Sequence, residues 1–222
     1  MSRVVVVTGA TGVAGRAVCT ALRGTGATVV AVGTDAGRLA GVDADVRLVA
    51  DLGDADATRA LAETVTTNVG PVDSLVHLVG GWRGGRDDDD FAWLERQVLT
   101  TLRNASRAFH DDLTSSASGR LVIVSAVAAG KPTWSNANYA TLKAAAETWV
   151  SAVASSWRKA GRAAAVSLVV SSIGEGGTDP ARIADAVLEV ERGDPATLNG
   201  ARIDLVAPAA DIPPATPGRL DP

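Results

Sequence analysis

Short runs of branched apolar residues alternate along this chain with longer stretches of mixed character. The first run, 4–7, is four consecutive valines with no polar alternation. That pattern belongs to a strand buried on both faces of a parallel sheet. Comparable runs at 27–32, 46–50, 72–79, 120–124, 164–170 and 201–206 predict six more strands. Between them, 13–23, 54–68, 139–159 and 180–191 read as helices, the second capped by Asp54.

Regular alternation of strand and helix implies one parallel sheet with helices on both faces. Right-handed crossovers then make a doubly wound Rossmann fold the expected α/β architecture, here a seven-stranded parallel sheet. No repeat or linker divides 1–207, which reads as a single domain. The segment 208–222 holds five of the chain's nine prolines and reads as an irregular tail.

Composition narrows the class. A domain of 222 residues buries roughly 70% of its unfolded surface, so it needs neither disulfides nor a structural metal. Its only cysteine, Cys19, excludes an internal disulfide, suits a reducing cytoplasm and reads as a small buried helix residue. No apolar run reaches the roughly 18 residues of a membrane span. The valine run at the start is broken by Gly9, which is too soon for a secretory leader. A net charge of −4 gives no bulk attraction to nucleic acid. The carboxylates Asp87 to Asp90 cannot all face one ion, so they read as a solvated helix start and no metal site is expected.

The chemistry begins after the first strand. Thr8-Gly9-Ala10-Thr11-Gly12-Val13-Ala14-Gly15 puts glycines at spacings of three where a strand turns into a helix. Such a turn lets backbone approach a pyrophosphate, and the helix N-terminus offers it N–H groups and partial positive charge. Thr8, Gly9, Thr11, Gly12, Val13 and Gly15 are therefore expected to hold a dinucleotide. At the end of the second strand, an acidic residue would grip the adenosine ribose and repel a 2′-phosphate. Gly33 and Thr34 stand there instead, Asp35 comes late enough to cap the next helix, and Arg38 is in reach of a phosphate. The expected cofactor is NADP, with NAD as the alternative.

Tyr139 is the only tyrosine, and Lys143 follows it by four residues. On a helix the two share a face. An ammonium beside a phenol stabilises phenolate, making Tyr139 a usable acid near neutral pH. Ser125 ends a strand just upstream and is the candidate for polarising a substrate oxygen.

With these residues in place, the chain resembles the short-chain dehydrogenase/reductase family over almost its whole length. The resemblance rests on Thr8-Gly9, Asp51-Leu52 after the third strand, Gly80-Gly81 after the fourth, Val122 to Ser125, and Tyr139-Ala-Thr-Leu-Lys143. It implies that Asp51 and Leu52 sit by the adenine and that Gly80 and Gly81 line the cofactor. It further implies that Tyr139 passes the proton, that Lys143 holds the nicotinamide ribose, and that the protein forms a homodimer or homotetramer. The implied reaction moves a hydride between the nicotinamide and a carbonyl, quinonoid or pterin-like substrate.

Several positions depart from the family pattern. Val13 replaces the middle glycine of its usual turn, and Gly12 is added. His77-Leu78-Val79-Gly80 replaces Asn-Asn-Ala-Gly. The serine normally thirteen residues before the tyrosine is Ala126, and Asn104 lies too far along to be the family's helical asparagine. After the sixth strand Ser171-Ser172 replaces Pro-Gly, and the substrate-covering insertion shrinks to 173–179. The loop Gly80-Gly81-Trp82-Arg83-Gly84-Gly85 is similar to one in dihydropteridine reductases, which also lack the serine. The alternative is a dinucleotide-binding sensor or scaffold that has lost catalysis, favoured by the missing serine and asparagine and opposed by the retained Tyr139 and Lys143. His77 reads as a satisfied core histidine and His110 as an exposed helical residue. Trp134, with Ser135 and Asn136, either lines the substrate pocket or packs.

Overall fold

A computed structural model describes residues 2–206; the proline-rich segment lies outside them. The strands are β1 (Val4–Thr8), β2 (Thr28–Gly33), β3 (Val46–Val49), β4 (Ser74–His77), β5 (Gly119–Ala126), β6 (Ala163–Val170) and β7 (Arg202–Asp204). The helices are α1 (Val13–Arg23), α2 (Ala36–Ala40), α3 (Ala55–Asn68), α4 (Asp88–Leu94), α5 (Thr101–Ala108), α6 (His110–Ser115), α7 (Ala137–Trp157), α8 (Pro180–Arg192) and α9 (Pro195–Leu198). All seven strands pair in parallel, in the order β3-β2-β1-β4-β5-β6-β7.

The valines of β1 show why the sheet is two-sided. Val4 and Val6 pack with α3, α5 and α7, whereas Val5 and Val7 pack with α1 and α8. Successive side chains of a strand point to opposite faces, so each of the four valines needs an apolar partner. Strand order reverses between β1 and β4, and the crevice beyond their C-terminal ends is where such sheets bind ligands.

The predicted strand 72–79 is shortened to Ser74–His77. At its start the Val72 N–H is taken by the Asp112 carboxylate; at its end Leu78 leaves the ladder after one bond to Thr8. The last strand is likewise trimmed, to Arg202–Asp204. The fifth is longer than predicted: β5 stays in register with β6 through Ser125↔Val169 and Ala126↔Val170. Helix α7 starts two residues before Tyr139. No helix among the described residues is long and apolar enough to cross a membrane.

Candidate active site

The glycine-rich turn is built by close backbone packing. Gly9 adopts φ +68°, and a Cβ on it would stand 2.7 Å from the Leu78 carbonyl carbon. That combination admits only glycine. A Cβ on Gly15 would overlap the Gly9 carbonyl oxygen, so α1 can lie against the turn only without a side chain there. At Gly12 a Cβ would meet only the Gly9 carbonyl oxygen, at an ordinary contact distance of 3.4 Å, so packing does not demand glycine there.

Helices α2, α3, α4, α8 and α9 each have an aspartate cap: Asp35, Asp54, Asp87, Asp179 and Asp194. Helix α1 has Gly12 at that position and no side-chain cap. The N–H groups of its first turn therefore stand at a cleft wall made by Gly9, Gly12, Val13, Ala14 and Gly15. An uncapped, partly positive helix end facing a cleft fits a dinucleotide pyrophosphate.

The cleft is about 640 Å³. It runs past Leu78 to Trp82 and Val124 to Tyr139, Lys143 and the Val170–Ile173 segment. A smaller cavity of about 120 Å³ adjoins it at Gly9 and Val79 and is lined by Thr11, Gly33, Thr34, Asp51, Leu52, Gln97 and Thr101. The predicted binding residues thus fall in two neighbouring spaces, with one exception. Thr8 is fully buried and its hydroxyl pairs with His77 Nδ1 at 2.9 Å, so it supports the turn from beneath.

Asp35 accepts a hydrogen bond from the Arg38 N–H at 2.8 Å as the α2 cap, which occupies the one acid near the smaller cavity's β2 wall. The guanidinium of Arg38 donates to the Thr11 carbonyl, and that of Arg16 donates to the carbonyls of Thr11, Arg38 and Gly41. Neither guanidinium is in an ion pair among the described residues. Asp51 is ion-paired to Arg96 at 2.5 Å and also accepts from the Gly53 N–H.

Tyr139 and Lys143 do share one face of α7. Lys143 is buried, and its Nζ donates to the Val124 carbonyl at 2.9 Å, with Nζ 5.8 Å from the Tyr139 ring centre. Burial lowers the ammonium to about 8, and the Glu147 charge pulls it back upward. The expectation that Lys143 lowers the phenol is corrected: burial raises Tyr139 above its ordinary value. The cation sits over the ring, so desolvation of the hydroxyl dominates.

Ser125 borders the cleft, but its hydroxyl donates to Glu147 Oε1 at 2.5 Å. Because β5 runs on unbroken through Ala126, alternation turns Ser125 toward α7 and leaves no hydroxyl at position 126. Ser125→Ala is therefore expected to lower kcat less than about tenfold, against the 10²–10³ typical of losing an oxyanion donor. A thousandfold loss would put the serine back into the chemistry.

Sequence reasoning placed His77 in the core, and it is buried, held by Thr8 and, at 3.3 Å, by Thr101. His110 is half-buried, stacked on Trp157 at 5.8 Å. Trp134 neither lines the cleft nor packs into the core; it is 75% exposed beneath the Arg86 guanidinium. Trp82, 68% exposed, does line the cleft, as does Asn136. Asn104 donates to the Leu52 carbonyl, well away from Tyr139 in role. The four carboxylates at 87–90 cap and fill the first turn of α4. No cluster of three metal-ligating side chains occurs among the described residues.

Two features escaped the sequence. The segment Glu95–Thr100 between α4 and α5 is π-helical, a form that recurs at functional sites. Here it sets Gln97 and Thr101 against the smaller cavity, and Thr101 donates to the Gln97 carbonyl. Nothing in the local composition announces the extra residue per turn. The other is Glu147, whose i+4 spacing from Lys143 was a readable signal.

Comparison with known proteins agrees with this geometry. A family model described as short chain dehydrogenase matches residues 3–186. A short chain dehydrogenase of Pseudocercospora fijiensis is 30% identical over 154 residues, 63% of this chain and 50% of that protein. An acetoacetyl-CoA reductase of Allochromatium vinosum is 28% identical over 173 residues, 69% of this chain and 68% of that protein. The chain thus spans half the length of the first relative and about two thirds of the second. Among solved structures, an NADPH-bound short chain oxidoreductase of Pseudomonas aeruginosa PAO1 superposes with TM-score 0.85. It is 21% identical and covers 91% of this chain and 95% of its own, and is described as containing an atypical catalytic center.

Proposed function

The chain belongs to the short-chain dehydrogenase family, and from that premise we propose that it is an NADPH-dependent reductase of conjugated acceptors. The observation that carries the reading is one cleft lined by both the uncapped α1 turn and the Tyr139–Lys143 pair. The nicotinamide group, when bound, supplies a hydride. The protein supplies the rest. The α1 N-terminus binds pyrophosphate, Lys143 donates to ribose hydroxyls with N–H groups that Val124 does not use, and Tyr139 gives its phenolic proton to the substrate oxygen. In the family manner the protein acts on a small molecule as a homodimer or homotetramer in the cytoplasm.

The choice of NADPH is supported by Arg16 and Arg38, both free of carboxylate partners among the described residues, and by Asp35 being engaged as a cap. NADPH should bind more tightly than NADH, and Arg38→Ala should cut that preference roughly tenfold, as for loss of a charged hydrogen bond. Fluorescence titration with both cofactors decides it. A clear preference for NADH would mean that an acid reaches the ribose after all.

The substrate class follows from what the cleft lacks and offers. With Ala126 at the serine position and Ser125 bonded to Glu147, no serine hydroxyl polarises the acceptor oxygen from β5. A substrate already polarised by conjugation, such as a quinonoid, an enone or a pterin-like ring, needs that donor least. Trp82 in the cleft wall offers such a flat ring a stacking face. Turnover of NADPH against quinones, dihydropterins and aliphatic ketones tests this, and fast turnover of plain ketones sinks it. The vacant serine position also supports a second reading, a dinucleotide sensor without catalysis. Tight NADPH binding with no turnover across that panel would select it.

A further inference from the structure

One helical turn beyond Lys143, Glu147 is gripped from two other elements. Ser125 of β5 donates its hydroxyl to Oε1 at 2.5 Å, and Arg202 of β7 donates Nε to Oε2 at 3.1 Å. The residue before Ser125, Val124, accepts the Lys143 ammonium at 2.9 Å. Adjacent residues of one strand thus hold adjacent turns of one helix, and β7 braces the second. We propose that Glu147 is a positioning residue for Lys143: clamped by Ser125 and Arg202, it fixes α7 on the end of β5 and sets a negative charge one turn from a buried ammonium.

The surroundings leave this charge unrivalled. On α7, Tyr139 is the other titratable neighbour, and its raised phenol is neutral. From β4 comes His77, held neutral by burial. β6 and the short turns 127–129 and 134–136 carry no ionisable group. On α4 and the π-helical segment, Asp88, Asp89 and Glu95 are exposed, Asp90 pairs with Arg83, and Arg96 pairs with Asp51. Burial draws Lys143 down to about 8, and Glu147 is the charge that opposes it. The catalytic consequence rests on the reductase reading; the electrostatic one is a property of the free protein.

The chain has three lysines, Lys131, Lys143 and Lys159, so the Lys143 Nζ titration can be followed by NMR of lysine-labelled, cofactor-free protein and assigned with Lys143→Met. Glu147→Gln keeps the shape and still accepts from Ser125, but lacks the charge. The Lys143 midpoint should fall by roughly half to one pH unit, the size of a screened charge one helical turn away. Arg202→Met removes the cation that partly neutralises Glu147, so the midpoint should rise. Opposite signs are the signature. If Glu147 were only a packing strut, both variants would lower Tm and leave the midpoint in place, which overturns the proposal. Should Glu147→Gln fail to fold, Arg202→Met alone decides, and an unchanged or lowered midpoint refutes it. A protein whose lysine shifts as expected but which binds no NADPH sinks the reductase reading and leaves the clamp standing.

Discussion

Tyr139→Phe should lose roughly 10²–10⁴-fold in kcat, the range for removing a general acid, while NADPH affinity stays within about twofold. The remaining hydroxyl and amide groups of the cleft wall, Ser125, Asn136, Ser171 and Ser172, do not titrate near neutral pH. Lys143 lines the cleft too, but its ammonium is tied to Val124. Burial raises the phenol, so it is fully protonated at pH 7, the state that reduction consumes. The limit on reduction at high pH therefore belongs to Lys143, whose buried ammonium titrates at about 8. On the reductase reading, the charge it would contribute to ribose binding is present below that value and lost as pH rises through it. Stopped-flow NADPH oxidation with the best acceptor measures the first claim, and the pH profile of kcat/KM the second. A variant keeping a third of wild-type turnover would remove Tyr139 from the proton step. Ultraviolet titration offers a separate check, because the only phenol in the chain is Tyr139.

The features legible in the sequence were those fixed by local backbone demands. Gly9 and Gly15 could be read because a left-handed turn and a helix–turn contact admit no side chain. The valines of β1 could be read because two-sided burial leaves no polar alternation. What stayed hidden depends on partners far along the chain. Ser125 was a plausible donor until Glu147, 22 residues on, proved to hold its hydroxyl. Arg96 reaches back across 45 residues to Asp51, a pair that no window-based pattern contains. The sign of the Tyr139 shift was misjudged for the same reason. Spacing gave the neighbouring cation, but only the packed structure shows how much water the phenol has lost.

Acid should unfold this protein through His77. Burial, with a smaller push from the Lys143 charge, lowers its imidazole from 6.5 to about 3. The folded state therefore holds the ring neutral across a range in which the unfolded chain takes up a proton. Stability from this residue is fully present above pH 6.5 and is lost as pH falls toward 3. The full loss is on the order of 5 kcal/mol, a large share of the roughly 5–15 kcal/mol typical of a domain. His77→Asn removes the titration and keeps a side chain that can hydrogen-bond to Thr8 and Thr101. Urea unfolding at pH 7, 5.5 and 4 should find the variant weaker at pH 7 and level with, or ahead of, the wild type at pH 4. The carboxylates titrate alike in both chains and cancel in the difference. Parallel stability curves would mean that His77 meets water in the folded state. His77 joins Thr8, under the glycine turn, to Thr101, at the end of the π-helical segment. Because the folded protein keeps this ring neutral down to about 3, the bridge between the two walls of the smaller cavity stays in place, and dinucleotide affinity should hold across the range in which stability falls.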